Sequence, residues 1–242
     1  MLIIAKKVMS QNADQFLNTF NAVERYLENK FNQGNFAPFR FLLRRAAAKD
    51  PVIRRNQDLL YMCGDLRNVL VHNDRFGGRT IAEPLDEVVE EFEKVRELIE
   101  NPGRVDQFEK KVFCCFLNDT LDKALQLMIR HKITQIPVID GNAIIEVLNG
   151  NHIAFWLANQ MSVSPSQIKI SQVLNKAEYK RNFEIIPRSM SVYDAAELYR
   201  NSFQSEPKNR YFDALIITEN GKPHENLTGI IVLKDIAKYM AE

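Results

Sequence analysis

Cysteine is scarce in this chain: Cys63, Cys114 and Cys115 are the only three among 242 residues. Three cannot all pair within one chain, and adjacent cysteines on a strand point to opposite faces. They are therefore expected to be buried thiols of a protein kept in a reducing, cytoplasmic setting. Neither they nor the four histidines show metal-ligand spacing. Long apolar runs are missing as well, and none approaches the ~18–20 residues of a membrane span. The opening Met-Leu-Ile-Ile run is broken by Lys6-Lys7, too short for a signal-peptide core. Glycine is sparse at nine residues against 15 phenylalanines, which argues against extended disorder. No charge of one sign dominates: 32 basic residues face 31 acidic ones, for a net charge of +1. A polyanion partner must therefore be argued from local charge. Also absent are a Gly-x-Gly-x-x-Gly or Gly-x-x-x-x-Gly-Lys-Ser/Thr loop, a nucleophilic triad and a paired-carboxylate motif.

What is present is ordinary for a globular chain: 45% apolar and 26% charged residues, enough for one large domain or two small ones. Its texture changes near Asn101-Pro102-Gly103, a stop signal and the expected domain boundary. Before it, Phe16, Phe20, Val23, Leu27 and Phe31 recur at helical spacing. So do Leu59, Cys63, Leu66 and Leu70, and later Val88, Val89, Phe92, Val95 and Ile99. A shorter helix over about 39–48 precedes Pro51. Four helices with short connections predict an up-and-down bundle over residues 1–103.

After the boundary, short β-branched runs alternate with helical stretches. Residues 113–117, 136–139 and 144–148 read as strands, and so do 182–187, 214–218 and 229–233. Helices are expected at about 120–131 and 191–203. The order strand–helix–strand–strand–helix occurs twice, with Thr120–Ala124 aligned against Ser191–Ala195. Ser191-x-x-Asp194 has capping-box spacing. The hairpin turns differ: Asp140-Gly141-Asn142 in the first copy, a longer 218–226 turn in the second. Such a tandem repeat sets residues 104–242 as a second domain, with repeat one at about 111–160 and repeat two at about 170–242. The fold class is α+β.

This half resembles a tandem pair of CBS domains, the Bateman module. The residues that carry the likeness are Asp119–Ala124 and His131–Asp140 in the first copy, and Ser191–Ala196 and Gly229–Ile236 in the second. The resemblance implies a pseudo-twofold disk, a homodimer through disk contacts, and adenine nucleotides (the AMP, ADP and ATP class) as regulatory ligands in clefts between the repeats. A glycine-led strand would deliver Asp235 to the start of the last helix, where a carboxylate can accept both hydroxyls of a ribose. Ile185, Ile186, Ala214, Leu215 and Ile216 could sandwich the purine. In the family a Ser or Thr stands three residues before that Asp; here it is Val232. The matching positions of the first repeat are Glu146, Asn149 and His152 in place of the family's Gly, Thr and Asp, so one good ribose site is expected at most. Asp235 reads equally well as an acid in the first turn of a helix. His152 and Trp156 read as packing residues.

In the helical half, Arg67, Asn68 and His72 form Arg-Asn-x-x-x-His near the end of a long helix. That motif in a bundle is similar to the HEPN superfamily, whose active members dimerise and cut RNA without metal. The resemblance implies Arg67, Asn68 and His72 as catalytic residues: histidine as general acid or base, arginine neutralising the phosphoryl group, asparagine orienting either. Five residues turn a helix by about 140°, so Arg67 and His72 do not share a face unless His72 lies in a frayed last turn or a second subunit completes the site. His72 reads alternatively as a cation at a helix C-terminus.

Arg40, Arg44, Arg45, Lys49, Arg54 and Arg55 cluster in segment 40–55, while Glu83 to Glu100 is acidic. The basic face is either a track for RNA phosphates or the pairing partner of the acidic one. The leading expectation is a regulatory protein whose nucleotide-binding pair controls the helical domain. The alternatives are a metal-independent ribonuclease gated by that ligand, and a non-catalytic dimerisation module.

Overall fold

The computed structural model describes residues 11–72, 82–158, 164–174, 182–204 and 211–240. The chain divides into two compact units, Met1–Gly103 and Arg104–Glu242.

The first unit is helical: α1 (Gln11–Asn32), α2 (Phe39–Ala47), α3 (Pro51–Arg55), α4 (Gln57–His72) and α5 (Asp86–Glu100). α1 turns its apolar stripe, Phe16, Phe20, Val23 and Leu27, onto α5 and α2, and all four side chains are buried. The Phe20 ring lies 4.6 Å from Phe39 and the Phe16 ring 5.3 Å from Phe92, so aromatic contacts tie three helices together. Pro51 does more than stop α2. With φ preset and no N–H to satisfy, it serves as the first residue of α3, and the Asp50 carboxylate caps that helix by accepting from Val52 N and Ile53 N at 3.0 and 3.3 Å. This short fifth helix is an addition to the four expected. Cys63 is fully buried in this core, and burial pushes its thiol up to about 12.

The second unit holds two three-stranded sheets of the same topology. Repeat one runs β1 (Cys115–Phe116), α6 (Leu121–His131), β2 (Gln135–Asp140), β3 (Ala143–Asn149) and α7 (Gly150–Ala158). Repeat two runs β4 (Phe183–Pro187), α9 (Val192–Gln204), β5 (Ala214–Thr218), β6 (Gly229–Ile231) and α10 (Leu233–Ile236), with α8 (Ile170–Leu174) lying between the repeats in sequence. In each sheet the first strand pairs parallel with the second and the second antiparallel with the third. β1 is shorter than the five residues expected. Leu117 N still donates to Ile139 O at 2.9 Å, and on the side away from β2 the Asp119 carboxylate takes the Phe116 N–H at 2.8 Å. At Ser191 one half of the capping box forms: its hydroxyl accepts from Asp194 N at 3.0 Å, and it donates to the Asp194 carboxylate. Ile170 and Val173, placed by the sequence pattern at the start of repeat two, fill the core of repeat one beside Leu121, Ile136 and Trp156.

Period-two alternation sorts the strands of repeat two. Ile186, Leu215, Ile217 and Ile231 face α9 and pack on Tyr199. Ala214 and Ile216 face the other way, onto Ile144 and Val147 of repeat one. The two sheets thus share an apolar layer, and the groove at its edge is where the candidate site lies.

Candidate functional site

That groove is a cleft of about 450 Å³ walled by three segments distant in sequence: Lys110–Phe113, His131–Gln135, and Ile230 with Val232–Lys234. It lies within the range typical of small-molecule sites. Each wall has a local cause. The first is held against β6 by Lys110 N, which donates to Thr228 O at 3.0 Å, and by a bridge between Glu109 and Gly229. Gly229 permits this approach because a Cβ there would meet Phe108 O at 3.0 Å. The second is the end of α6, where Lys132 takes the left-handed conformation (φ 52°) and Ile133 N bonds Met128 O at 3.0 Å, closing the helix. The His131 imidazole stacks on Phe113, ring centroids 3.6 Å apart, joining the first two walls. The third is the turn from β6 into α10.

Apolar side chains (Val112, Ile133, Ile230 and Val232) line the cleft together with four lysines, Lys110, Lys111, Lys132 and Lys234. Asp235 stands beside this lining. Its carboxylate accepts from Val232 N at 3.1 Å and lies 3.8 Å from the Lys110 ammonium, with 19% of the side chain exposed. Nearby, burial pushes the Tyr199 phenol up, with Asp213 and Asp235 adding to the rise, and its O–H donates to Ile231 O at 3.1 Å.

Of the residues expected to hold a nucleotide, the structure brings Val232 to the cleft wall and Asp235 next to it. Ile185 is half-buried against the shared apolar layer. Ile186 and Leu215 lie in the core of repeat two, and Ala214 and Ile216 are fully buried between the sheets. Strand alternation turns Ile186 and Leu215 to the α9 face, and burial against repeat one closes off Ala214 and Ile216. No spacing in the sequence marks the lysines as site residues. Lys110-Lys111, Lys132 and Lys234 are far apart in sequence, and only the topology assembles them.

The matching positions of repeat one hold a different structure. β3 is an edge strand, and the backbone N–H and C=O of Val147 are both taken by the Asn182 side-chain amide, at 3.3 and 2.9 Å. Asn182 N donates to Glu146 Oε1 at 3.1 Å. The Asp213 carboxylate accepts from the amides of both Asn149 and Asn182. His152 N donates to Asn149 Oδ1 at 2.9 Å. Glu146, Asn149, His152 and Asn182 are all under 9% exposed. The side chains that replace the family's Gly, Thr and Asp are therefore spent on one another and on the backbone.

In the first unit, Arg67 and Asn68 line a separate groove of about 330 Å³ with Phe20, Glu24, Arg40 and Asp65. The Arg67 guanidinium lies 5.7 Å from the Phe20 ring centre, and its Nη1 is 3.4 Å from Asn68 Oδ1. Burial raises the Glu24 carboxyl, Arg67 opposing the rise. His72 is the last residue of α4, and its side chain lies outside the described residues, as does Asn73. In the basic segment, Arg40 Nη2 donates to both carboxylate oxygens of Asp65, at 2.8 Å each. Among the described residues no group of three or more metal-ligating side chains could hold a metal ion, and no helix is long and apolar enough to cross a membrane.

The family model for the CBS domain matches residues 105–158 and 176–242, together half of the chain. No curated protein matches it. Among solved structures, the CBS domains of a transcriptional regulator from Streptococcus pneumoniae are 14% identical, with a TM-score of 0.42 over 57% of this chain and 99% of that one. CBSX2 in complex with AMP is 19% identical, with a TM-score of 0.40 over 56% and 94%. The CBS domain of a bacterial CNNM/CorC family Mg2+ transporter in complex with ATP is 15% identical, with a TM-score of 0.43 over 62% and 96%. With both of its repeats matched, the chain belongs to the CBS-domain family.

Proposed function

We propose that this chain is a regulatory protein whose CBS pair binds an adenine nucleotide in the cleft beside Asp235 and thereby controls the N-terminal helical unit. The observation that carries this reading is the cleft itself: apolar walls for a base, a partly exposed carboxylate at its edge for a ribose, and ammonium groups for phosphate. The polar network at the matching positions of repeat one supports a single site per pair. Calorimetric titration of the full chain with AMP, ADP and ATP tests the proposal. Saturable binding of one nucleotide, weakened in Asp235→Ala, is expected; no heat with any of the three overturns it.

A second reading assigns the helical unit a metal-independent RNA cleavage. It is favoured by Arg67 and Asn68 sharing one groove with Glu24, the basic α2 face alongside. In this reading the unit works as a homodimer of the HEPN type and His72 is the acid–base group. RNA cleavage in EDTA, lost in His72→Ala, is the expected result. A stable dimer with neither cleavage nor RNA binding would leave dimerisation as the unit's role.

A further inference from the structure

We propose that the open cleft selects a nucleoside di- or triphosphate over the monophosphate, and that Lys132 is a selecting residue. The inference rests on the nucleotide reading above and concerns how many phosphates the ligand carries.

Four lysines from three chain segments line one cleft, and the lining contains no carboxylate. Asp235, outside the lining, lies 3.8 Å from Lys110, and its carboxylate also accepts the Val232 N–H. One carboxylate cannot neutralise four lysines. The cleft therefore carries a surplus of positive charge, which an anion relieves in proportion to its own charge. The Lys111 ammonium lies 5.5 Å from the Phe113 ring centre, at the same mouth as the His131 stack. Each phosphate added to a nucleotide brings further negative charge and further acceptor oxygens to these donors.

Lys132 carries the argument furthest. It ends α6 with φ at 52°, a conformation that glycine adopts without penalty and lysine adopts with one. The backbone asks for glycine at this position, yet the chain carries a lysine there, in the wall of the cleft. Strained non-glycine residues cluster at ligand clamps, where the side chain is needed for something other than the fold. A helix end selected for stability alone would be better served by glycine.

The test titrates the full chain, without divalent metal, with AMP, ADP, ATP and inorganic tripolyphosphate. It compares the wild type with Lys132→Gly and Lys132→Arg and records the melting temperature of each variant. The wild type is expected to bind in the order ATP, ADP, AMP, with a preference that narrows as salt is raised. Lys132→Gly should weaken ATP by about two- to fivefold, as fits the loss of one exposed charge pair, narrow the ATP-to-AMP preference, and melt no lower than the wild type. Lys132→Arg should keep the preference. AMP binding as tightly as ATP overturns the inference and leaves the nucleotide reading standing. An unchanged ATP affinity in a more stable Lys132→Gly overturns it by reducing Lys132 to a surface lysine. Binding of none of the three nucleotides overturns the nucleotide reading itself, and tripolyphosphate binding alone would then assign the lysines to an inorganic polyanion.

Discussion

Replacing Gly229 by alanine adds one methyl group at the point where two walls of the cleft meet. Strand propensity alone favours the change, since glycine inside a strand is about 0.5–1 kcal/mol worse than alanine. Packing opposes it. The new Cβ would lie 2.8 Å from Ile217 Cδ1, 3.0 Å from Phe108 O and 3.3 Å from Glu109 Cα. The isoleucine methyl can rotate away, but the other two atoms are backbone and cannot. Either β6 or the 108–110 segment must shift, and both are fixed by the Glu109–Gly229 bridge and the Lys110 N to Thr228 O bond. Overpacking of this kind costs about 1–3 kcal/mol, so the clash outweighs the propensity gain. For a unit of this size the melting temperature falls by about 2–4 °C per kcal/mol. Displacement of Lys110 should also weaken ATP binding in calorimetry. Gly150→Ala is the control, because a Cβ there meets nothing within 4 Å; it should melt at or above the wild-type temperature. A Gly229→Ala protein as stable as Gly150→Ala, with wild-type ATP affinity, would refute the packing argument.

Other measurements probe separate parts of the structure. Asn182→Ala removes the amide that pairs with Val147, leaving its buried C=O unsatisfied while its N–H keeps Glu146 Oε1 at 3.3 Å; a loss of about 1–3 kcal/mol is expected in denaturant unfolding. The Glu225 carboxylate accepts from the Asn220 side chain and backbone, and these bonds hold its pKa down to about 2 from 4.5. A folded pKa below the unfolded one contributes stability above pH 4.5 that is lost as pH falls toward 2. Glu225→Gln should therefore flatten the stability-versus-pH curve in that window, and an unchanged acid limb would contradict it. Burial pushes the Cys63 thiol up to about 12 and Cys115 to about 11, so at pH 8 the half-buried Cys114 should alkylate before either.

Much of the architecture could be read from residue spacing. The 3.6-residue stripe of α1 and the doubled strand–helix–strand–strand order both reflect burial on one face of a regular element, which sequence records directly. Departures arose where a side chain acted on the backbone locally. Asp50 with Pro51 started an unforeseen helix. The site was harder to read. Asp235 and Val232 could be found because they sit in a contiguous motif. The apolar candidates could not be sorted without knowing which face of β4 and β5 looks at α9. Lys110, Lys111, Lys132 and Lys234 meet only after the two repeats close on each other, and Asn182 and Asp213 stand just before their strands, outside any motif.

The most direct test of the central claim is amide chemical-shift mapping of the labelled full chain during titration with ATP. The account predicts saturable shifts at residues 110–113, 131–135 and 230–235, and a quiet network around Asn149, Asn182 and Asp213. Shifts concentrated at Asn149, Asn182 and Asp213, with Lys110–Phe113 and Ile230–Asp235 unmoved, would contradict it.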